Sequence, residues 1–225
     1  MTKILAISDV HGEENENLYT YLENNNVDLV LILGDITNFG PLDFVDTFVN
    51  KISSYDVDVI AIQGNCDPEG ILNAIGDVTY CLHNNTIEYG DVVLFGYGGS
   101  NETPFDTPGE ITDDKIHEDV DELLTNYDDD GSKIKILVTH APPYDTQADT
   151  IESGAHVGSH GILDAIVKFK PDINLCGHVH EAKSLSKIGD VTDVANPGML
   201  KDNGAVFIDI IDGSNYNIEI ISLNE

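Results

Sequence analysis

The chain has 225 residues, 41% of them hydrophobic, with 20 Gly and 8 Pro, which is enough apolar material for a sizeable core and carries no bias toward disorder. Forty-one Asp and Glu stand against ten bases, all of them lysine, for a formal charge of −31. A surface this acidic repels polyanions, and without arginine there is no bidentate group to grip phosphate or guanine, so nucleic-acid binding through a basic groove is excluded as the main activity.

A phosphate bound by such a chain needs positive charge from elsewhere, and metal ions are the obvious source. The acidity itself reads most simply as a device for solubility. No apolar run reaches the roughly 18 residues of a membrane helix, and the apolar stretch at the start is too short for a secretion signal. The expected location is therefore the cytoplasm, with no membrane partner. Cys66, Cys81 and Cys176 are odd in number and form no C-x-x-C pair, which fits a reducing compartment rather than a disulfide framework.

In chain order, apolar periodicity predicts a strand at 4–7, a helix at 17–24, a strand at 29–33, a helix at 42–53 and a strand at 57–62. Strands at 86–89 and 92–96 flank the turn Tyr89-Gly90-Asp91 and read as a hairpin. A longer helix follows at 111–127, with Ile116, Val120, Leu123 and Leu124 on one face, and then a strand at 134–138. A helix at 161–170 has Ser159 placed to cap it and Pro171 to end it, and a strand at 173–175 comes next. Strands at 183–188, 191–196, 205–211 and 216–222 close the chain.

This alternation predicts an α/β sandwich. The runs at 4–7, 29–33, 57–62, 134–138 and 173–175 are assigned to a largely parallel sheet and the hairpin strands to a second, more antiparallel one. No repeat or linker divides the chain, so one domain is expected over 1–225.

Chemistry-bearing residues gather directly after the five apolar runs. The first leads into Asp9-Val10-His11, the second into Gly34-Asp35, the third into Gly64-Asn65-Cys66-Asp67, the fourth into Thr139-His140 and the fifth into Gly177-His178-Val179-His180. The carboxyl ends of parallel strands line one crevice in an open α/β sheet. Residues i and i+2 of an extended backbone point the same way, so Asp9 and His11 are predicted to share a face, as are His178 and His180. The glycines before Asp35, Asn65 and His178 are predicted to let the backbone turn sharply.

Imidazole, carboxylate and amide oxygen together suit divalent manganese, iron, zinc, cobalt or nickel. Seven donors (Asp9, His11, Asp35, Asn65, His140, His178 and His180) exceed one tetrahedral site. Two ions about 3.5–4 Å apart that share a carboxylate use all seven, and Asp35, after the second strand, is the natural bridge.

The ordered blocks Asp9-Val10-His11, Gly34-Asp35, Gly64-Asn65, His140 and Gly177-His178-Val179-His180 resemble the signature of the calcineurin-like metallophosphoesterases, across most of the chain. Gly98-Gly99-Ser100 with Thr103-Pro104-Phe105, Thr139-His140-Ala141-Pro142-Pro143, Gly177–Glu181 and Asn196-Pro197-Gly198 are similar to a subgroup of small archaeal and bacterial predicted phosphoesterases. The resemblance implies a four-layer α/β/β/α sandwich of two mixed sheets flanked by helices. It assigns Asp9, His11, Asp35 and His180 to one ion, and Asp35, Asn65, His140 and His178 to the other. It also implies two divalent ions, manganese foremost, and a homodimer by analogy alone.

Many members of that family carry a histidine after Gly-Asn that contacts phosphate or protonates the leaving group; this chain has Cys66, a poor proton relay unless perturbed. Asp67 stands where the family often has an acid that orients its neighbour.

The expected activity is hydrolysis of a small-molecule phosphodiester or phosphomonoester by a hydroxide bridging the two ions, with Asp35, Asn65, Cys66, Asp67 and His140 as the catalytic set. The rival readings are a nuclease, which the acidity opposes, and a metal-dependent interaction module with little turnover, which the intact ligand set opposes. His156 and His160 read as surface residues beside the helix capped by Ser159, with anion binding at that helix start as the alternative. His83 and His117 read as surface or core residues. The Gly-rich segment 96–109 is a candidate wall of the cleft, and Asn196-Pro197-Gly198 a turn beside the site.

Overall fold

The computed structural model describes residues 2–225; Met1, which opens the predicted domain, lies outside the described residues. The first part of the chain runs β1 (Thr2–Ile7), α1 (Glu16–Asn24), β2 (Leu29–Ile32), α2 (Asp43–Ser53), β3 (Asp58–Ala61), α3 (Ile71–Val78) and β4 (Tyr80–Cys81). It continues with β5 (Asn85–Tyr89), β6 (Val92–Tyr97), α4 (Asp113–Thr125), β7 (Ile134–Thr139), α5 (His160–Phe169), β8 (Ile173–Leu175), β9 (Ser184–Ile188), β10 (Thr192–Asn196), β11 (Gly204–Asp212) and β12 (Asn215–Ser222).

Among the described residues these strands form two six-stranded sheets, ordered β12-β11-β1-β2-β3-β4 and β5-β6-β7-β8-β10-β9. The predicted split into one parallel and one antiparallel sheet does not form. In each sheet a parallel centre carries antiparallel strands: β11 on β1 and β12 on β11 in the first, β5 on β6 and β9 on β10 in the second. The predicted runs at 4–7, 29–33 and 57–62 lie in the first sheet, and those at 134–138 and 173–175 in the second. A run that is apolar on both faces announces a buried strand, but not the sheet to which it belongs.

The four layers follow from the period-2 alternation of each central strand. In β1, Leu5 and Ile7 pack with Leu18, Phe48, Ile52 and Ile75 of α1, α2 and α3, whereas Ile4 and Ala6 face Leu94, Ile136 and Leu175 of the other sheet. On the far side, Val93, Phe95 and Leu137 meet Ile116, Val120, Ile162 and Ile166 of α4 and α5. The expected α/β/β/α sandwich of two mixed sheets flanked by helices is thus the observed architecture.

Local chemistry sets the helix ends. The Asn15 side chain caps α1 by accepting from Asn17 N–H at 2.9 Å, and Ser159 Oγ caps α5 by accepting from Ile162 N–H at 3.1 Å. Lys170 closes α5 in the left-handed region at φ 51°, and Pro171 follows it. Helix α3 has no counterpart among the predicted elements, because Gly70 and Gly76 punctuate a segment of eight residues whose buried side chains are only Ile71 and Ile75.

Candidate metal centre

The loops after β1, β2, β3, β7 and β8 meet at one end of the sandwich, and the seven sequence-predicted donors meet with them. They form two groups. In the first, His11 Nε2 and His180 Nε2 face each other at 3.2 Å, and Asp9 Oδ1 lies 3.3 Å from His180 Nε2 and 3.8 Å from His11 Nε2. In the second, Asn65 Oδ1 lies 3.0 Å from His140 Nε2 and 2.7 Å from His178 Nδ1. Asp35 stands between them: its Oδ2 is 3.7 Å from His11 Nε2 and its Oδ1 3.4 Å from His140 Nε2.

The backbone route differs from the predicted one. Asp9, His11, Asp35 and His178 have φ of 54°, 51°, 49° and 69°, so the side chains converge through left-handed turns and not by alternation along an extended strand. Asp and His tolerate this region better than most residues, yet each such turn costs on the order of 1 kcal/mol and is held by its surroundings. The glycines also serve differently. Gly34 turns at φ 100° as expected, and a Cβ there would sit 2.6 Å from His140 Nδ1. Gly64 and Gly177 are needed for close approach instead: a Cβ on Gly64 would overlap the Asp35 carboxylate, and one on Gly177 would overlap the Ser8 side chain.

Neighbouring groups fix the donors. His140 Nδ1 donates to the Leu33 carbonyl at 2.8 Å, which leaves Nε2 free to act as a donor to a metal. Cys66 N–H donates to Asp35 Oδ1 at 2.7 Å. Asn65 Nδ2 donates to Thr107 Oγ1 at 2.9 Å, so its Oδ1 is the atom turned to the histidines. The 177–180 turn hangs from Asn196, whose Nδ2 donates to Val179 O at 3.0 Å and to Gly177 O and Ala148 O at 3.3 Å.

Thr107 lies within the glycine-rich segment 96–109 and Asn196 within the Asn196-Pro197-Gly198 turn, but nothing in the sequence singles out either side chain, because partners 42 and 48 residues away leave no local pattern. Asp67 is buried and accepts from Thr37 N–H at 2.7 Å, Gly64 N–H at 2.8 Å and Ile36 N–H at 3.2 Å. Its carboxylate therefore holds the loops behind Asp35 and Asn65.

The electrostatics are those of a buried site crowded with carboxylates and imidazoles. Burial pushes Asp35 up, but His140 and His11 outweigh it and hold the carboxyl well below its ordinary range. Burial raises Asp9 as well, and His180 and His140 bring it below its usual value. Burial pulls His140 down, and Asp35 and Asp9 overcome this to hold it at about 9. His178 falls to about 4 through burial and the nearby His140. Burial lowers His11, while Asp9 raises His180. Asp67 rises to about 6, from burial and the charge of Asp35, and burial and Asp35 push the Cys66 thiol well up.

Asp9 Oδ1 is buried and accepts no hydrogen bond. Among the described residues three clusters have donor atoms all within 4.8 Å of one another: Asp9, His11 and His180; Asp9, Asp35 and His140; and His11, Asp35 and Cys66. An unpaired buried carboxylate oxygen ringed by imidazole nitrogens fits a divalent cation.

The remaining predicted residues lie apart from these clusters. His156 Nδ1 pairs with Asp149 Oδ1 at 2.7 Å, and the His160 ring stacks on Tyr144 with centroids 3.9 Å apart. The anion alternative at the start of α5 is overturned because the Asp113 carboxylate already accepts His160 N–H at 3.1 Å and Gly161 N–H at 3.3 Å. His117 lies 4.0 Å from Asp164. His83 Nδ1 accepts Gly98 N–H at 2.9 Å and so pins the glycine-rich segment, whose Gly109 N–H donates to Asn65 O at 2.9 Å.

A two-sheet sandwich with His, Asp and Asn converging at its strand ends is the framework of a metal-dependent hydrolase. The family model described as calcineurin-like phosphoesterase matches residues 2–182, and the chain belongs to that family. The family implies metal-dependent hydrolysis of phosphoesters with divalent ions. An uncharacterized protein of Methanocaldococcus jannaschii, MJ1162, is 33% identical over 199 residues, 87% of each chain. The protein TT1561 of Thermus thermophilus superimposes with a TM-score of 0.72 at 16% identity over 99% of both chains. A dimetal phosphatase from Danio rerio does so at 0.66 and 12% identity, over 99% of this chain and 96% of its own. These two structural likenesses are likenesses of fold. No described helix is long and apolar enough to cross a membrane.

Proposed function

We propose that residues 1–225 act as one domain that hydrolyses a small-molecule phosphodiester or phosphomonoester at a dinuclear centre. Asp9, His11, Asp35 and His180 hold one ion, and Asp35, Asn65, His140 and His178 hold the other. The observation that carries this reading is the placement of Asp35, with one carboxylate oxygen toward His11 and the other toward His140. When bound, the ion pair supplies Lewis acidity and a hydroxide nucleophile at neutral pH.

The chain's own residues do the rest by positioning. Cys66 N–H holds the Asp35 carboxylate between His11 and His140, where it would be shared by the two ions. The Leu33 carbonyl fixes the tautomer of His140. Asn65, anchored by Thr107, keeps its amide oxygen on the histidine side. Asp67 is a positioning residue, since its oxygens are spent on backbone N–H groups behind the site. The −31 charge and the absence of arginine favour a small phosphoester over nucleic acid. The three cysteines are free, which supports a reducing, cytoplasmic setting.

Asp35→Asn and His140→Ala test the proposal. Each is expected to cut turnover of an aryl phosphodiester or aryl phosphate by at least ~10²-fold, the scale of losing one strong electrostatic contribution to the transition state. Near-normal turnover in both variants defeats it.

A further inference from the structure

We infer that Glu110 is a positioning residue for the centre: through the Thr107 hydroxyl it sets which end of the Asn65 amide faces His140 and His178. The inference rests on the dinuclear reading above, in which Asn65 Oδ1 is a ligand, and names what orients that ligand.

The two ends of an amide are nearly the same size, so partners decide which end faces which side. Asn65 Oδ1 lies 2.7 Å from His178 Nδ1 and 3.0 Å from His140 Nε2. A ring nitrogen presents a proton or a lone pair according to its protonation, so the histidine side alone does not select the oxygen.

The opposite side does select. Asn65 Nδ2 donates to Thr107 Oγ1 at 2.9 Å and also approaches Cys66 Sγ at 3.6 Å, a weak acceptor. The single hydroxyl proton of Thr107 goes to Glu110 Oε1, 2.8 Å from Thr107 Oγ1. With its proton committed there, the hydroxyl offers Asn65 only lone pairs, which take an N–H and reject the amide oxygen.

Glu110 is itself fixed. Its Oε1 also accepts Thr107 N–H at 2.9 Å and the Thr103 hydroxyl. Burial pushes its carboxyl up, and the hydrogen bonds from Thr103 and Thr107 outweigh this and hold it at about 2. At neutral pH it is therefore an ion that only accepts, and its bonds are charge-assisted. The backbone ties the same segments together: Gly109 N–H donates to Asn65 O at 2.9 Å, and Ile111 N–H to Ser100 O at 2.8 Å. The hydrogen bonds from Asn65 to Thr107 and from Thr107 to Glu110 thus run in one direction, ending on a group that cannot reverse them.

The test uses the full chain freed of metal by chelation. It reads solvent exchange of the Asn65 side-chain amide protons by NMR, assigned by their loss in Asn65→Asp, and stepwise zinc binding by calorimetric titration. In Glu110→Ala and Thr107→Val the amide is expected to exchange at least tenfold faster than in wild type. One of two zinc ions is expected to bind at least ~10-fold more weakly, the scale on which a partner of a metal ligand acts, while the other is unchanged. Thr107→Val keeps the Thr107 N–H and Thr103 bonds to Glu110, so its loss is the hydroxyl's alone, and it decides the matter if Glu110→Ala fails to fold. Glu110→Gln should match wild type in both readouts, because Thr107 N–H cannot be reversed and keeps the glutamine carbonyl in the place of Oε1. Unchanged exchange or unchanged zinc affinities in Thr107→Val, or a Glu110→Gln variant as impaired as Glu110→Ala, overturns the inference and leaves the dinuclear reading standing. Wild type that binds a single zinc ion defeats the dinuclear reading, and the exchange rates of the metal-free chain still decide the inference.

Discussion

Asn196→Ala probes the support of the metal centre without touching a proposed ligand. Asn196 is fully buried. Its amide group donates to Ala148 O, Gly177 O and Val179 O, and its Oδ1 accepts Gly198 N–H at 2.8 Å. Truncation does not orphan all four groups. Gly177 O keeps Val179 N–H at 2.8 Å, and Val179 O keeps Ala182 N–H at 3.0 Å. Ala148 O and Gly198 N–H lose the partner that Asn196 provides.

Two buried groups left unpaired at about 1–3 kcal/mol each give a loss near 2–4 kcal/mol once weak hydration of the new space is allowed. The assay is urea unfolding of the metal-free protein at constant m-value, paired with calorimetric titration of a divalent ion. The expected result is that loss of stability together with weakened binding, because the 177–180 turn carries His178 and His180. A change under about 0.5 kcal/mol, the size of an ordinary surface substitution, with unaltered binding refutes the reasoning.

Two further outcomes follow from the geometry. Gly177→Ala places a Cβ against Ser8 and 2.7 Å from Asp9 Oδ2; it should cost about 1–3 kcal/mol as overpacking and reduce bound metal below two ions per chain, read by elemental analysis. His83 gives an acid dependence. Burial holds it below its ordinary value of about 6.5, and its Nδ1 must stay unprotonated to accept Gly98 N–H. A depressed histidine favours the fold above the unfolded pKa, and that advantage is lost as pH falls from about 6.5 through the lower folded value. Urea midpoints at pH 7 and pH 5 should therefore differ less in His83→Gln than in wild type.

The sequence exposed the site more fully than the sheets. Five short apolar runs each ending in Asp, Asn or His mark a chemical feature that local spacing can carry, because each donor lies within a few residues of a strand end. The assignment of those runs to sheets depends on long-range pairing: β7 and β8 are as buried as β1 and β2, and only their partners place them in a different layer. Asp9 and His11 converge through left-handed turns at both residues and not through strand alternation, a backbone route that residue spacing alone does not reveal. Helix α3 was hidden by Gly70 and Gly76. Thr107, Asn196 and His83 act across 42 residues, 48 residues and a loop contact to Gly98, distances at which no periodic pattern survives.

The proposed function requires two divalent ions at these strand ends for hydrolysis. Its most direct test measures hydrolysis of bis(p-nitrophenyl) phosphate by one sample before chelation, after chelation and during metal replacement, with bound metal counted at each stage. Activity should vanish in the stripped protein and return as occupancy rises from one ion per chain to two. Full turnover by protein from which the metal has been removed contradicts it.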